Sequence, residues 1–323
     1  MLTIFLASIL TLVQLNCENL FDCSHDEGKN DTEFTPEGKR LWTQRKYRQK
    51  TENIAKELIG CCGKDTLPDL ITLCEIENDS VMERLTQRTA LGQLGYRYIM
   101  TNSRDERGID VAIIYNTMSF RPISHQSIRP DDNHPEHPLR DILYVCGSLA
   151  SGDTLHIVVV HAPSKFGGKK KSMPRRMTVM EKTVEIIDSI RHADNDARII
   201  IAGDFNDTAD SHTMIYLENY GMVNVTNHSN GNHGACGSYK YKGKWETIDH
   251  ILVSKSLRHN IISSRICDTP YLIYKDNKYG GWKPRRSFNG FRYAPDGYSD
   301  HLPVVIKYLK TPSIKNEGTF DKQ

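Results

Sequence analysis

Charge of one sign, spaced cysteine pairs and long apolar runs are all scarce in this chain of 323 residues. Lys and Arg number 42 against 40 acidic residues, so a net charge of +2 gives the whole molecule no strong field for a polyanion. Any anion binding must come from a local patch. The eight cysteines include no CxxC pair and no Cys/His spacing suited to zinc. Cys74 and Cys146 lie inside apolar runs and Cys61 adjoins Cys62, which suits small core residues better than a disulfide framework.

The N-terminal "MLTIFLASILTLVQLN" is apolar, but it has no basic leading region and no A-x-A-like cleavage site, and it is too short to span a bilayer. Its second half, Leu10 to Leu15, is needed as the first strand. A cytoplasmic location is therefore expected over export. Because no linker, low-complexity tract or repeat divides the chain, a single domain is expected over residues 1–310, with a polar tail at 311–323 and a monomeric state.

Nine runs rich in Val, Ile and Leu read as strands: "LTLVQLN", "DLITLCEIE", "YRYIMTN", "IDVAIIYN", "ILYVCGSLA", "TLHIVVVHAPS", "ARIIIAGDFND", "TIDHILVS" and "HLPVVIKYL". Between them lie helical patterns. "QRKYRQKTENIAKELIG" places Tyr47, Ile54, Ala55 and Leu58 on one stripe and stops at Gly60; a second pattern starts at Ser172 and repeats Met177, Met180, Val184, Ile187 and Ile190. "TMIYLENYG" is a shorter third. Some strands are separated by turns and others by helices, which fits neither a simple βαβ repeat nor an all-β fold. The expectation is an α/β four-layer α-β-β-α sandwich of two mixed β-sheets flanked by helices. Two long polar stretches, 22–46 and 268–300, interrupt it, and the density of aromatics in the second argues against disorder.

The strand ends repeat one theme. "QLNCENL" presents Asn16, Glu18 and Asn19; "LCEIEND" presents Glu75 and Glu77; "VVVHAPS" presents His161; "IAGDFND" presents Asp204, Asn206 and Asp207; "ETIDHIL" presents Asp249 and His250; "YSDHLPV" presents Asp300 and His301. One polar strand end is ordinary, but six of them converging would form a carboxylate cluster that repels itself and raises its own pKa values. A hard divalent cation, Mg²⁺ or Mn²⁺, relieves that repulsion with oxygen ligands and keeps positions open for water and phosphate. Metal, imidazoles and an amide together are equipment for phosphoester hydrolysis.

The ordered series Asn16-x-Glu18, Glu75, His161, Gly203-Asp204-Phe205-Asn206, Ile248-Asp249-His250 and Ser299-Asp300-His301-Leu302-Pro303 resembles the endonuclease/exonuclease/phosphatase superfamily of DNase I-like metal-dependent phosphoesterases. The resemblance runs from about residue 10 to residue 309 and implies the same four-layer fold. It implies a Mg²⁺ or Mn²⁺ site at Glu75 assisted by Glu18 and Asp300, with Asn16 beside the phosphate. It assigns Asp204 to activating or orienting the attacking water, Asn206 to the phosphoryl oxygens, and His301 to the phosphate, paired with Asp249. Activation by Asp204 or by a histidine stays open. His161 stands where abasic-site endonucleases carry Tyr, which weakens an abasic-repair reading. Glu77, Asp207 and His250 read as solvated or supporting neighbours, and Asn19 as a turn cap. Arg107 and Asp110 read either as a structural salt bridge or as site-edge groups.

Basic and aromatic residues flank the strand ends in "SKFGGKKKSMPRR", which contains Lys165, in "SYKYKGKW" and in "YKDNKYGGWKPRRSFNGFRY". Such runs are often solvated faces; placed here, Lys165 and Arg107 would engage phosphates while Tyr and Trp stack on bases. A nuclease acting on DNA or RNA is expected first. A phosphatase or phospholipase acting on inositol phosphates or sphingomyelin-like head groups is the alternative, and a catalytically silent binding module on the same scaffold comes last.

Overall fold

The computed structural model describes residues 8–63, 66–131 and 137–310. The apolar residues 1–7 and the expected tail at 311–323 lie outside them. One six-stranded sheet contains β1 (Ser8–Leu20), β2 (Leu70–Ile76), β3 (Tyr96–Met100), β4 (Asp110–Asn116), β13 (Ile261–Ile266) and β18 (Val304–Lys310), in the order β13-β18-β1-β2-β4-β3. The other contains β5 (Phe120–Ile128), β6 (Ile142–Leu149), β7 (Thr154–His161), β8 (Ile199–Asp204), β9 (Met222–Asn224) and β12 (Asp249–Ser254), in the order β5-β6-β7-β8-β12-β9. Each sheet has one parallel pair at its centre, β1 with β2 and β7 with β8, flanked by antiparallel strands.

Alternation explains the layers. Leu10 and Leu12 of β1, with Ile157 and Val159 of β7, fill the space between the sheets, while Val13, Leu15, Val158 and Val160 face outward. Both faces are covered, so these strands read as continuous apolar runs rather than alternating ones. Helix α1 (Gln44–Gly60) covers the first sheet with Tyr47, Ile54 and Leu58, and α2 (Asp79–Gln87) joins it there through Val81, Met82 and Leu85. Helix α3 (Lys169–Ala193) covers the second with Met180, Val184 and Ile187, beside α4 (His212–Asn219). At roughly 1.5–3 kcal/mol per buried aliphatic side chain, these three apolar layers are the main stabilising term. The result is an α/β sandwich of two mixed sheets with helices outside.

Several boundaries differ from the sequence expectation. β1 runs to Leu20 instead of ending at Asn16, and α3 starts at Lys169, three residues before Ser172, leaving Met177 half-buried. β5, β9 and β13, and helices α2 and α5 (Lys255–Arg258), were not expected. The two long polar stretches are built segments. The second contains the hairpins β14–β15 (Ile273–Lys275, Trp282–Pro284) and β16–β17 (Phe288–Asn289, Arg292–Tyr293), while β10–β11 (Tyr239–Tyr241, Lys244–Glu246) precedes β12. Phe21 stacks on Phe34 at 4.0 Å, and Trp42 contacts Phe34, Phe288 and Tyr293, so one aromatic cluster joins both stretches to the first sheet. Among the described residues no helix is long and apolar enough to cross a membrane.

Candidate active site

Chain direction gathers the polar strand ends. β1 and β2 are parallel, as are β7 and β8, whereas β12 and β18 run against their neighbours and begin where those strands finish. Asp249 therefore sits opposite Asp204, and His161 sits opposite Asp204 on its other side. The two sheets meet at this edge: Asn16 Nδ2 donates to Asp204 Oδ2 at 3.0 Å.

Register breaks aim the side chains. β1 and β2 lose register between Asn16 and Leu20, and β2 and β4 lose it between Cys74 and Ile76. Glu18 (φ 49°), Asn19 (φ 58°), Glu75 (φ 62°) and Asn206 (φ 52°) all adopt left-handed backbone, four of the six described non-glycine residues that do. Each costs about 1 kcal/mol or more, and such strain collects where packing enforces a functional geometry.

A line of contacts crosses the site. Glu75 Oε1 lies 4.0 Å from His161 Nε2, which lies 3.8 Å from Asp204 Oδ2, which lies 4.0 Å from His301 Nε2. His301 Nδ1 then bonds Asp249 Oδ2 at 2.6 Å. Asp300 Oδ1 stands 3.9 Å from His301 Nε2. Asn206 donates from its backbone to Asp204 Oδ1 at 2.8 Å and from its amide to Ala162 O at 3.1 Å. Glu75, His161 and Asp204 are too far apart to hydrogen-bond with each other and near enough to share one ligand. The carboxylate oxygens among them fit a hard divalent cation, while in the group of Asp204, Asp249 and His301, whose donor atoms lie within 4.8 Å of one another, the imidazole is already paired with Asp249.

The remaining expected residues are placed with partners of their own. Glu18 is buried, with Oε2 accepting from the Ser287 backbone at 2.6 Å and hydroxyl at 2.8 Å, and Arg286 3.6 Å from Oε1. Arg286 also bonds Asp300 at 2.7 Å, so one guanidinium bridges Glu18 and Asp300. Arg107 bonds Asn19 Oδ1, whose backbone N–H donates to Glu75 Oε2 at 2.8 Å. Asp110 instead accepts from Thr101 and Ser103, so Arg107 is a site-edge group and the two form no pair among the described contacts. Lys165 pairs with Glu246 at 2.9 Å, on the strand facing Tyr239, whose ring lies 4.9 Å from His301. Asp207 and His250 are buried rather than solvated: Asp207 pairs with Arg176 at 2.7 Å, and His250 Nε2 bonds Asp207 O at 3.0 Å.

Electrostatics separate the groups. Burial, then Asp249, raises the Asp204 pKa, and burial with Asp300 raises that of Glu18. Burial alone would lower His301, but Asp249, Asp204 and Asp300 hold it well above the usual imidazole value. His161 is driven the other way, well below it, by burial and by Arg140 and Arg107. The site therefore presents one charged and one neutral imidazole at neutral pH.

Lys50, Arg140, Ser287, Arg286 and Tyr239 were not expected in specific roles. Lys50 on α1 is fully buried and donates to Glu18 O at 2.7 Å and to the Ser287 hydroxyl. Its signal was a lysine on the apolar stripe of Tyr47, Ile54 and Leu58, a position where an unpaired ammonium is costly.

Carboxylates and imidazoles gathered on one edge of a two-sheet α/β sandwich define the DNase I-like class of fold. The chain belongs to the Endonuclease/Exonuclease/phosphatase family, whose profile matches residues 11–310. Members of that family are hydrolases of phosphoester bonds. The chain is similar in structure to a mannosyl-6-phosphatase of Bacteroides thetaiotaomicron, with TM-score 0.62 and 16% identity, covering 94% of this chain and 100% of that one. Another family protein from Bacteroides thetaiotaomicron gives TM-score 0.61 and 15% identity, with 94% and 98% covered. A truncated Caenorhabditis elegans TDP2 gives TM-score 0.57 and 14% identity, with 94% and 98% covered. No curated protein matches the chain by sequence comparison.

Proposed function

We propose that this chain is a divalent-metal-dependent phosphodiesterase acting on DNA or RNA. The observation that carries the reading is the line of contacts from Glu75 through His161 and Asp204 to His301 and Asp249. Glu75 and Asp300, with side chains 17% and 20% exposed, are the carboxylates an ion from solvent meets first. They would hold Mg²⁺ or Mn²⁺, with Glu18 adding charge from behind. When bound, the ion supplies Lewis-acid polarisation of a phosphoryl oxygen and a lowered pKa for water.

The chain's own residues supply the rest. Asp204, fixed by Asn16 and the Asn206 backbone, orients the attacking water and takes its proton. His301, kept charged by Asp249, donates to the phosphate, and the amide hydrogen that Asn206 does not give to Ala162 would donate to an oxygen where charge develops. Neutral His161 lies between Glu75 and Asp204, placed to hydrogen-bond the leaving group. Arg107 and Lys165 engage phosphates at the rim.

Nucleic acid is favoured by a cleft of about 390 Å³ beside Asp300, lined by Tyr239, Tyr241 and Tyr279 with Lys240, Lys242, Lys278, Lys283 and Arg286. Cations that track a backbone and rings that stack on bases suit a single strand. A monoesterase on a small phosphate is the second reading, favoured by the likeness to the mannosyl-6-phosphatase. The test is a substrate panel with Mn²⁺ or Mg²⁺: single-stranded DNA, RNA, bis-p-nitrophenyl phosphate and sugar phosphates. Cleavage of the diesters is expected; turnover of monoesters alone would favour the second reading and end the first.

A further inference from the structure

A second group of acidic side chains lies outside the site described above. Asp26, Asp31 and Glu77 bring one carboxylate oxygen each to within 4.8 Å of one another, and Asp31 and Glu77 are buried. Glu77 is only 4% exposed, and its Oε1 atom is fully covered with no hydrogen-bond partner among the described residues, although its Oε2 accepts from the Asp22 backbone at 2.6 Å. Asp31 is held by His25 and by the Asp26 backbone N–H at 2.8 Å, whereas Glu77, beside both carboxylates, keeps one buried oxygen unbonded among the described residues.

The neighbouring cations do not resolve it. His25 bonds Asp31 Oδ1, while the Lys29 ammonium is committed to the carbonyls of Ser103 and Asp105 at 2.9 and 3.0 Å. Asn78 Nδ2 lies 3.3 Å from Asp26 Oδ2 and 3.4 Å from Asp22 Oδ2. Beside the cluster opens a cavity of about 120 Å³, lined by Asp26, Lys29, Glu77, Asn78, Asp79 and Asp110 among others, with Asp31 behind its wall. That is room for an ion and a few waters at about 30 Å³ each.

We propose that Asp26, Asp31 and Glu77 form a binding site for a calcium ion, distinct from the catalytic edge. Several carboxylates on an irregular loop suit calcium's flexible, many-oxygen shell better than the near-ideal octahedron that magnesium demands. The ion would fasten the segment after β1 to the end of β2. Glu77 already reaches that segment twice, through its backbone N–H to Leu20 O at 3.2 Å and through Oε2 to Asp22. Glu18 and Glu75 lie on those two strands, so the ion would hold their spacing without touching substrate.

The test is calorimetric titration of the full-length protein with calcium chloride, run on wild type, Asp26→Asn, Glu77→Gln and Asp204→Asn. Wild type and Asp204→Asn should each bind one calcium at this site, with affinity falling 30-fold or more in Asp26→Asn and Glu77→Gln. Wild-type Tm should rise by several degrees at a hundredfold excess of calcium over its Kd, and by about a third of that or less in those two variants. Asp26 is partly exposed, so its variant serves if Glu77→Gln does not fold. The proposal is overturned if wild type binds no calcium, if Asp26→Asn binds like wild type, if binding is lost in Asp204→Asn, or if magnesium binds there and calcium does not.

Discussion

Two imidazoles in one site are driven to opposite charge states, and their surroundings say why. His301 faces three carboxylates, whereas His161 is buried with Arg140 and Arg107 nearby and has no partner for its Nδ1 among the described residues. Replacing Asp249 by Asn removes the anion that holds His301 protonated, so phosphodiester turnover should drop about 100-fold or more. Its alkaline limit should also move to lower pH, which a kcat–pH profile reads. His250 allows a separate test on stability. Burial lowers it to about 4, and Asn224 Nδ2 donating to Nδ1 at 3.1 Å fixes a neutral ring. The unfolded chain binds that proton near pH 6.5, so the stabilisation is complete above 6.5 and is lost as pH falls toward 4, by about 3 kcal/mol. Urea unfolding at pH 7 and pH 5 should show about 2 kcal/mol of this fall in wild type and a smaller loss in His250→Gln. At this scale the acidic and imidazole residues were legible because each interrupts an apolar run. Ser287 and Arg286 were not, since their contacts to Glu18 join positions 269 residues apart or nearly so.

At the scale of elements, legibility followed burial. The nine apolar runs are strands because both faces of each sheet are covered, while β5 escaped notice because most of its residues are exposed at a sheet edge. Helix α2 carried a readable signal in Asn78, whose side chain caps Val81 N at 3.1 Å ahead of the Val81, Met82 and Leu85 stripe. The extension of β1 beyond Asn16 was hidden because polar residues continue the strand through a register break. The long polar stretches owe their order to Trp42, fully buried, with Nε1 donating to Phe21 O at 3.0 Å. Trp42→Ala should cost about 3–5 kcal/mol, measured as a lower urea midpoint. It should also reduce activity in the folded fraction, because Phe288 and hence Ser287 lose their support.

For the whole molecule, near-zero net charge makes local arrangement decisive. Five cations and three tyrosines line the cleft beside Asp300, and reversing two of them, Lys242→Glu with Lys278→Glu, should weaken single-stranded DNA binding about tenfold or more. The slope of log affinity against log salt should flatten by about 1–2, read by fluorescence anisotropy across a salt series. Unchanged affinity and slope would remove the cleft from the substrate path. The edge that collects six strand ends was foreseeable from residue order, but which sheet partners bring them together is a property of topology.

If one cation-dependent cluster breaks phosphodiesters, hydrolysis of bis-p-nitrophenyl phosphate reports that chemistry at the reacting bond. With Mn²⁺ the wild-type protein should turn over the diester, lose that activity in EDTA, and lose at least about 100-fold in Asp204→Asn and in His301→Ala. Turnover that survives EDTA, or that stays at the wild-type rate in both variants, would contradict it.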